Sequence, residues 1–428
     1  MAAQGGGSAG DVVVRKYGGS SLATDELVRH VARQIAAAVR AGRQVVTVVS
    51  ARGDTTDELI RQAGALSSRP PARELDQLLA TGETASSALL AMALQELGIP
   101  AVALAGGQSG VLATGPHGAG IIVAVDTERM VRLLDAGQTV ILAGFQGVTA
   151  DGDTITLGRG GSDTTAVAVA AELGARVCEI YTDVDGIFTA DPRVVPGARL
   201  MPVVGIDVMA ELAFAGAKVM HSRAVELAAL YGVDIHVGHS AGSAIGTRIT
   251  NEDGADMLED KAAVTAVVHD PEVARVTLNT TGSGEDPAAA AFRLLARQAI
   301  PSDMTSVSQR SGDGLALALT VHRSHSAAVA GAFRELAGSG RDRVAVDDSL
   351  AKVSIIGKGL LNRPEYAARM LSSLTGSGIE AGSLSASQLR VSVTVPRHDA
   401  ERAVSLLHSE FGLGAESGQE PLPFARQP

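Results

Sequence analysis

The sequence contains a single cysteine, and this scarcity of thiols limits the kinds of site the protein can carry. Cys178 is that residue among 428. An internal disulfide is therefore excluded, and a zinc site built on cysteines is implausible. The residue lies in Val177-Cys-Glu-Ile-Tyr181, a run typical of a β-strand. We expect an inert thiol in the core.

The sequence also lacks a basic field, a long apolar run and a leader pattern. Its formal net charge is -11, which disfavours nonspecific binding to nucleic acid or to anionic membranes. No apolar run reaches membrane-spanning length. Residues 1–10 are small and glycine-rich, so we expect a disordered tail there rather than a signal peptide. These absences predict a cytoplasmic protein with no nucleic-acid or membrane partner.

The chain is long for one hydrophobic core, so two or three domains are expected. Up to about residue 250, apolar strands such as Gln44–Val49 alternate with helical patterns such as Asp25–Arg40. Helical material also covers Leu75–Leu97, where Thr81-Gly-Glu-Thr84 is expected to interrupt it. Strands that are apolar throughout predict an α/β domain over residues 11–250, with a mainly parallel sheet between two layers of helices.

A glycine-rich turn, Thr156-Leu-Gly-Arg-Gly-Gly-Ser-Asp-Thr-Thr-Ala166, joins an expected strand to an expected helix starting near Ala166. Backbone amides at such a turn, with a helix N-terminus, favour an anion. Arg159 offers a planar fork for a carboxylate or phosphate, and Asp163 can orient a cation. The alternative is an ordinary turn in which Ser162 and Asp163 are N-cap residues. The turn alone slightly favours this alternative.

Other polar groups follow the remaining strands. Lys16 precedes Gly18-Gly19 at the end of the first strand, without the spacing of a P-loop or a Rossmann fingerprint. Glu83, the acidic stretch Thr182–Asp191 and Lys218 have equally ordinary alternatives as surface or turn residues. Because parallel strands bring their carboxyl ends to one edge of a sheet, these groups could share a cleft.

The C-terminal part contains a weak internal repeat. Ala274–Leu278 followed by Pro287–Leu294 resembles Ala351–Ile355 followed by Pro364–Leu371. Each copy predicts a βαββαβ module of the ferredoxin-like type. We place a linker at 251–262, the modules at 263–345 and 346–413, and a flexible tail at 414–428.

Taken together and in order, these motifs are far more specific than any one of them. The set comprises Lys16-Tyr-Gly-Gly-Ser-Ser21, Val48-Val-Ser-Ala51, Thr81-Gly-Glu83, Gly158-Arg-Gly-Gly-Ser-Asp163, Thr182-Asp-Val-Asp-Gly186, Asp191-Pro-Arg193 and Gly216-Ala-Lys-Val-Met-His221. It resembles the aspartate kinases of the amino-acid-kinase fold, and the repeated module resembles that family's paired ACT domains. The resemblance extends from about Val12 to Leu413.

The resemblance implies transfer of the γ-phosphoryl group of ATP, with Mg²⁺, to the β-carboxylate of L-aspartate. The product would be 4-phospho-L-aspartate, at the first step of the aspartate-derived amino-acid pathway. The matching catalytic residues are Lys16 and Asp163. The matching substrate-binding residues are Ser50, Thr56, Glu83, Arg159 and Ser162. The matching nucleotide-binding residues are Gly18, Gly19, Ser20, Thr182, Asp183, Phe188, Arg193, Lys218 and Val219. No side chain is assigned as a metal ligand.

Several positions depart from the family pattern. In the catalytic part, Tyr17, Ser20, Arg52, Phe188 and Ser222 stand where other residues are more usual, but no charged catalytic group is lost. The effector loops differ more: Thr281–Ala288 lacks the usual Asp-x-Pro-Gly, Val307 replaces a glutamine and Gln388 replaces a glutamate. We therefore expect weakened or altered feedback by lysine or threonine. The resemblance also implies a homodimer through the ACT domains, and relatives include a short ACT-only chain that would start near Met257.

Three alternatives remain open on the sequence. Acetylglutamate, glutamate and uridylate kinases share the fold, but they do not usually carry the twin C-terminal modules. An inert regulatory subunit is disfavoured because Lys16, Arg159 and Asp163 are all present. An aspartate kinase of a specialised pathway is compatible with the altered effector loops.

Overall fold

The computed structural model describes residues 12–217, 219–242, 244–251, 264–280, 286–298, 300–309, 315–337 and 343–414. These residues form two compact units. The first contains the described residues of 12–187, 200–214 and 219–251. The second contains Phe188–Arg199, Ala215–Ala217 and the described residues from 264 onward.

The first unit is an α/β domain, as predicted. Its strands are β1 (Val12–Tyr17), β2 (Gln44–Val49), β3 (Ala101–Leu104), β4 (Val111–Thr114), β5 (Ile121–Val125), β6 (Thr139–Ala143), β7 (Gln146–Val148), β8 (Thr154–Thr156), β9 (Val177–Thr182), β10 (Val203–Gly205), β11 (Asp234–His239) and β12 (Ile245–Thr250). Its helices are α1 (Asp25–Arg40), α2 (Thr55–Leu66), α3 (Ala72–Glu96), α4 (Glu128–Asp135), α5 (Gly161–Glu172), α6 (Ile206–Ala215) and α7 (Ser222–Tyr231).

Eight of these strands form the main sheet, in the order β10-β12-β11-β9-β1-β2-β6-β3. The pairs from β11 to β3 are all parallel, and β11 pairs with β12 in the antiparallel sense. A second, four-stranded sheet has the order β5-β4-β7-β8. The strands β2 and β6 are buried on both faces over nearly their whole length, and their residues are mostly apolar without alternation, as in the run Val45–Val49 of β2.

The helix α1 illustrates how local sequence sets an element. Thr24 caps it by accepting a hydrogen bond from the Leu27 amide, and Asp25 and Glu26 occupy the first turn, where negative charge is favourable. Its buried residues include Val28, Val31 and Ile35, which recur at helical spacing. The expected span of 25–40 is confirmed.

Two expectations for helices are wrong. The helix α3 runs unbroken through Thr81-Gly-Glu-Thr84. Gly82 lies within it because a Cβ there would be 2.9 Å from the Ala51 Cβ, so the glycine allows the loop after β2 to pack closely. The helix α5 begins at Gly161 rather than near Ala166, and Gly160 is its N-cap. Ser162 and Asp163 therefore lie in its first turn, which excludes the N-cap alternative for both.

The second unit contains two four-stranded antiparallel sheets. Its strands are β13 (Val264–Asp270), β14 (Val273–Thr280), β15 (Asp303–Gln309), β16 (Leu315–His322), β17 (Arg343–Asp347), β18 (Leu350–Gly357), β19 (Leu384–Ala386) and β20 (Arg390–Pro396). Its helices are α8 (Pro287–Arg297), α9 (Ser326–Leu336), α10 (Pro364–Gly376) and α11 (Ala400–Glu410). The sheets have the orders β15-β16-β14-β17 and β13-β18-β20-β19.

The strand order differs from two successive βαββαβ copies. The first copy is complete, from β14 to β17. Among the described residues, the second has no closing strand after α11, and β13, which precedes the first copy, pairs with β18 instead. One module is thus inserted into the sequence of the other. Periodicity identified the elements, but it carries no information on which edge strand completes a sheet.

The segment Phe188–Arg199 also packs in the second unit. Ala190 and Val195 belong to the same buried apolar cluster as Val353 and Leu407. The Val267 amide donates to the Thr189 carbonyl at 2.8 Å. Within the described residues, no helix is both long and apolar enough to cross a membrane.

A buried charge cluster joins the two sheets of this unit. The Asp303 carboxylate of β15 lies 2.9 Å from Lys352 Nζ of β18 and 2.9 Å from Arg390 Nη1 of β20. Burial alone would raise the pKa of Asp303, but hydrogen bonding from Arg390 and the charge of Lys352 lower it to about 2.

Candidate active site

Four neighbouring parallel strands, β9, β1, β2 and β6, bring the predicted residues of the first unit to one edge of the main sheet. Lys16 is the penultimate residue of β1, and Thr182 ends β9. Ser50 follows β2, and Gly144 follows β6. The backbone connects these ends directly, since the Gly18 amide donates to the Tyr181 carbonyl and the Gly144 amide to the Val49 carbonyl. This is the edge where open α/β sheets bind ligands.

Lys16 and Asp163 form an ion pair at this edge. Lys16 Nζ lies 2.6 Å from Asp163 Oδ1, and the side chains are 12% and 8% exposed. The contact is an ion pair rather than a well-angled hydrogen bond, because Oδ1 has no hydrogen-bond partner among the described residues. Burial strengthens the attraction compared with a surface pair. The carboxylate therefore holds the ammonium in place beside the glycine turn.

The turn after β1 leaves space beside the lysine. A Cβ on Gly18 would lie 3.6 Å from Lys16 Nζ, and one on Gly19 would lie only 2.5 Å from the Ala51 carbonyl oxygen. Gly19 therefore cannot carry a side chain without displacing the loop that follows β2. Ser20 is exposed at the start of a short 3-10 turn. Glycines that let a backbone approach closely in this way are typical of phosphate-binding turns.

The loop after β2 is fastened to the turn after β1. The Ser50 amide donates to the Tyr17 carbonyl at 3.2 Å, and the Gly53 amide donates to the Gly19 carbonyl at 3.0 Å. Arg52 adds a side-chain link, since its Nε donates to the Leu22 carbonyl at 2.8 Å. Its Nη2 also contacts Asp25 at 2.8 Å. Thr56 lies in the first turn of α2 and is half-buried.

Glu83 projects from α3 towards this loop and is only 3% exposed. Its Oε1 accepts a hydrogen bond from the Ala51 amide at 3.0 Å. Its Oε2 is buried and has no partner among the described residues. Desolvation raises the pKa of Glu83 to about 7, although the Ala51 hydrogen bond opposes the shift. A buried carboxylate oxygen without a partner is suited to an incoming cation.

The glycine-rich turn before α5 is shaped by close packing. Gly160 has a φ of 68°, and a Cβ there would overlap the side chain of His221. Burial and the charge of Arg223 lower the pKa of His221, so its ring is neutral at pH 7. Ser162 is buried against Gly144. Arg159, by contrast, is exposed and forms no hydrogen bond or ion pair with the described residues, which leaves its guanidinium available to a ligand.

The predicted nucleotide residues from Thr182 onward are divided between the two units. Thr182 is half-buried and donates to the Asp183 carboxylate at 3.0 Å. Phe188 and Arg193 lie in the segment that packs in the second unit, where Arg193 pairs with Asp191 at 2.7 Å. Val219 is half-buried in the first unit, whereas Lys218 lies outside the described residues.

Sequence reasoning missed two charged residues that hold the glycine-rich turn. Asp76 of α3 is 1% exposed. Its carboxylate accepts a hydrogen bond from the Thr156 amide and contacts His117 in the loop between β4 and β5. Arg223 of α7 donates to the Leu157 and Gly120 carbonyls at 2.7 Å and 2.9 Å. One signal was available for Asp76, because its position in Leu75-Asp-Gln-Leu-Leu79 puts a carboxylate on the apolar side of a helix.

Among the described residues, no group of three or more histidine, cysteine, aspartate or glutamate side chains is arranged to hold a metal ion. The polar groups at the edge of the main sheet instead comprise one buried cation, one exposed arginine, two buried carboxylates and close-packed glycine turns. Such a set has the charges to attract an anion beside Lys16, a cation at Glu83 and a carboxylate at Arg159.

Comparison with known proteins gives consistent results. The Amino acid kinase family matches residues 11–239, and the ACT domain matches residues 353–411. An aspartokinase of Mycolicibacterium smegmatis is 44% identical over 95% of this chain and 97% of its own length. An aspartokinase of Corynebacterium glutamicum is 42% identical with the same coverage. The crystal structure of E. coli aspartokinase III with aspartate and ADP has the same fold, with a TM-score of 0.79, 24% identity, and coverage of 94% of this chain and 100% of that chain.

Proposed function

The chain belongs to the amino acid kinase family, and within it to the aspartokinases; on this premise we propose how its residues carry the reaction. The enzyme phosphorylates the β-carboxylate of L-aspartate with ATP. A carboxylate oxygen forms a bond to the γ-phosphorus, and the bond from that phosphorus to the bridging oxygen of ADP breaks. Because the carboxylate is itself a competent nucleophile, no covalent enzyme intermediate is required. The task of the protein is to align two anions and to offset their charge.

The observation that carries the proposal is the buried ion pair between Lys16 and Asp163. We assign Lys16 the role of stabilising the phosphoryl group during transfer, since its ammonium lies beside Gly18, 3.6 Å from the position that a Cβ there would take, and is held by Asp163. Asp163 fixes that ammonium, so little reorganisation is needed as charge moves in the transition state. The partial positive charge at the N-terminus of α5 adds to the same effect.

The substrate aspartate has three groups to recognise, and the site offers a partner for each of its charged ends. We place the α-carboxylate on Arg159, which is exposed and without a partner among the described residues. The ammonium would pair with Glu83, whose Oε2 is buried and lacks a partner there. Ser50, Thr56 and Ser162 would supply the remaining contacts. The β-carboxylate is then directed towards Lys16.

The phosphates of ATP would lie over the turn Gly18-Gly19-Ser20, where the packed glycines allow a close approach. Thr182, Asp183, Phe188, Arg193, Lys218 and Val219 are proposed nucleotide contacts from the family motifs. A Mg²⁺ ion bound to the phosphates supplies charge neutralisation and needs few protein ligands. We assign it no ligand from this chain.

A coupled assay of ADP release tests the substrate, with L-aspartate, L-glutamate, N-acetylglutamate and UMP as acceptors. Turnover is expected with L-aspartate, and turnover only with another acceptor would overturn the assignment. Lys16→Met should reduce kcat by about two to three orders of magnitude, the range for loss of one electrostatic contact to the transition state. Circular dichroism and the melting temperature of the variant show whether the fold is retained. Near-normal kcat in a folded Lys16→Met variant would refute the role of the lysine.

Regulation is a separate part of the proposal. The aspartokinases carry ACT domains, and we propose that the second unit binds amino-acid effectors and forms a homodimer, with a short ACT-only chain as a further partner. Val307 is 51% exposed on β15, and Gln388 lies just before β20, at positions where the family more often has Gln and Glu. Each lost hydrogen bond to a ligand costs about 1–3 kcal/mol, or roughly ten- to a hundredfold in affinity. Inhibition by lysine and threonine, alone and together, is therefore expected to be weak, and strong inhibition at low concentration would contradict this.

A further inference from the structure

Asp76 holds the strand that leads into the glycine-rich turn. Its carboxylate is 1% exposed, and it accepts hydrogen bonds from the Thr156 hydroxyl at 2.5 Å and the Thr156 amide at 3.1 Å. The Gly118 amide donates to it at 3.1 Å, and His117 Nδ1 lies 2.7 Å away. Burying a carboxylate normally costs several kcal/mol unless its oxygens are fully hydrogen-bonded. The four contacts to Asp76 therefore offset the cost of burying it.

The groups bound to Asp76 come from two segments, the end of β8 and the loop between β4 and β5. Thr156 ends β8, and the loop containing Gly118 connects β4 to β5. The Gly120 amide donates back to the Thr156 carbonyl at 2.8 Å, so the two segments are also joined to each other. Asp76 therefore fixes both segments to the rigid helix α3.

A second anchor for the same segments comes from α7. Arg223 of α7 donates to the Leu157 carbonyl and to the Gly120 carbonyl. Gly158 follows with a φ of 74°, and a Cβ there would lie 3.0 Å from the Gly118 carbonyl oxygen. The backbone is thus held at Thr156, Leu157 and Gly158, and the next residue is Arg159. The exposed guanidinium of Arg159 has no partner of its own among the described residues. The position from which its side chain leaves the backbone is therefore set by the anchored residues before it.

We propose that Asp76 is a positioning residue for substrate binding. It acts through Thr156 and Leu157 to set the direction in which Arg159 leaves the backbone, and hence the fit to the α-carboxylate of aspartate. This inference rests on the proposed role of Arg159. A purely structural role for Asp76 would lower stability without a selective effect on aspartate, whereas a positioning role makes the effect depend on Arg159.

The experiment is a double-mutant cycle between Thr156→Val and Arg159→Met. Valine keeps the shape and the backbone amide of Thr156 but removes the hydroxyl that donates to Asp76. Thr156→Val is expected to raise KM for aspartate roughly five- to tenfold, with kcat and KM for ATP changed less than twofold, as for a slightly misplaced binding group. In the Arg159→Met background, the same substitution should leave KM for aspartate unchanged.

Asp76→Asn provides a second, stronger perturbation. Asparagine is nearly isosteric with aspartate, but its NH₂ group is a donor and would face groups that now donate to Asp76. The effect of Asp76→Asn on KM for aspartate should therefore exceed that of Thr156→Val. If this variant does not fold, the milder Thr156→Val cycle still decides the question. His117→Asn is the matched control, because it removes one Asp76 contact and leaves both Thr156 contacts, and its KM should stay within twofold of the parent value.

The outcomes separate the inference from the function on which it rests. If Arg159→Met leaves KM for aspartate unchanged, the role of Arg159 itself is wrong. If Arg159→Met raises KM but Thr156→Val does not, the positioning role of Asp76 is wrong. If Thr156→Val raises KM equally in both backgrounds, its effect does not pass through Arg159, and the inference is again refuted.

Discussion

Glu83 gives the site a pH dependence whose size follows from the structure. Burial raises the pKa of its carboxyl to about 7, compared with 4.5 for an exposed glutamate. If the substrate ammonium pairs with the ionised carboxylate, the free enzyme must lose a proton before it binds aspartate well. At pH 8 about nine-tenths of the molecules carry the carboxylate, and at pH 6 about one-tenth do. The dissociation constant for aspartate should therefore be about tenfold higher at pH 6 than at pH 8.

The same pKa shift also affects the stability of the fold, but it favours low pH, whereas aspartate binding favours high pH. Because the folded-state pKa is raised, the contribution of Glu83 to stability is fully present below about pH 4.5 and is lost as the pH rises through about 7. A shift of about 2.5 units corresponds to about 3 kcal/mol at pH 8. Glu83→Gln should therefore be more stable than the parent at pH 8, by up to this amount, while binding aspartate more weakly.

Isothermal titration of L-aspartate between pH 6 and pH 8, without nucleotide, measures the first effect. Over this range the ionisation of aspartate itself is constant, so the titrating group belongs to the protein. Glu83→Gln is the control and should show weak binding that does not change with pH. Urea denaturation at pH 5 and pH 8 measures the second effect. A pH-independent affinity in the parent enzyme, together with unchanged binding in Glu83→Gln, would refute the assignment of Glu83 to the ammonium.

Three further substitutions test other parts of the structure. Gly160→Ala combines a φ of 68° with an overlap against His221, so we expect kcat/KM to fall by at least tenfold; an unaffected rate would show that the turn can relax. Asp303→Asn removes the carboxylate that lies 2.9 Å from both Lys352 Nζ and Arg390 Nη1, and breaking this buried ion pair should cost about 3–5 kcal/mol in urea denaturation at pH 7. Because the pKa of Asp303 is lowered to about 2, its contribution is present above about pH 4 and lost as the pH falls through 2. Arg52→Met removes a partly exposed link between the loop after β2 and the segment after β1, and it should raise KM for aspartate roughly fivefold, or about 1 kcal/mol. The difference in KM between variant and parent should be smaller when both are assayed in high salt, because salt weakens the Arg52–Asp25 pair in the parent.

Much of the fold could be predicted from the sequence because it is encoded in local patterns. The span of α1 follows from the Thr24 cap and the spacing of its apolar residues, and the buried strands follow from continuous apolar runs. The motifs around Lys16 and Asp163 could be recognised for the same reason, since each occupies a short stretch of the chain. Local patterns were misleading at Gly82, where a glycine within α3 serves a close contact and does not break the helix.

The tertiary structure alone decided which distant groups meet. Lys16 and Asp163 are far apart in sequence, and their 2.6 Å contact depends on the placement of α5 behind β1 and β9. Three other features also depend on contacts between distant parts of the chain: the pairing of β13 with β18, the four contacts to Asp76 and the burial of Glu83. Strand pairing and desolvation are long-range properties, set by how complementary surfaces pack, and no periodicity within a segment records them. The elements and the chemical groups are therefore encoded locally in the chain, whereas packing sets which group faces which.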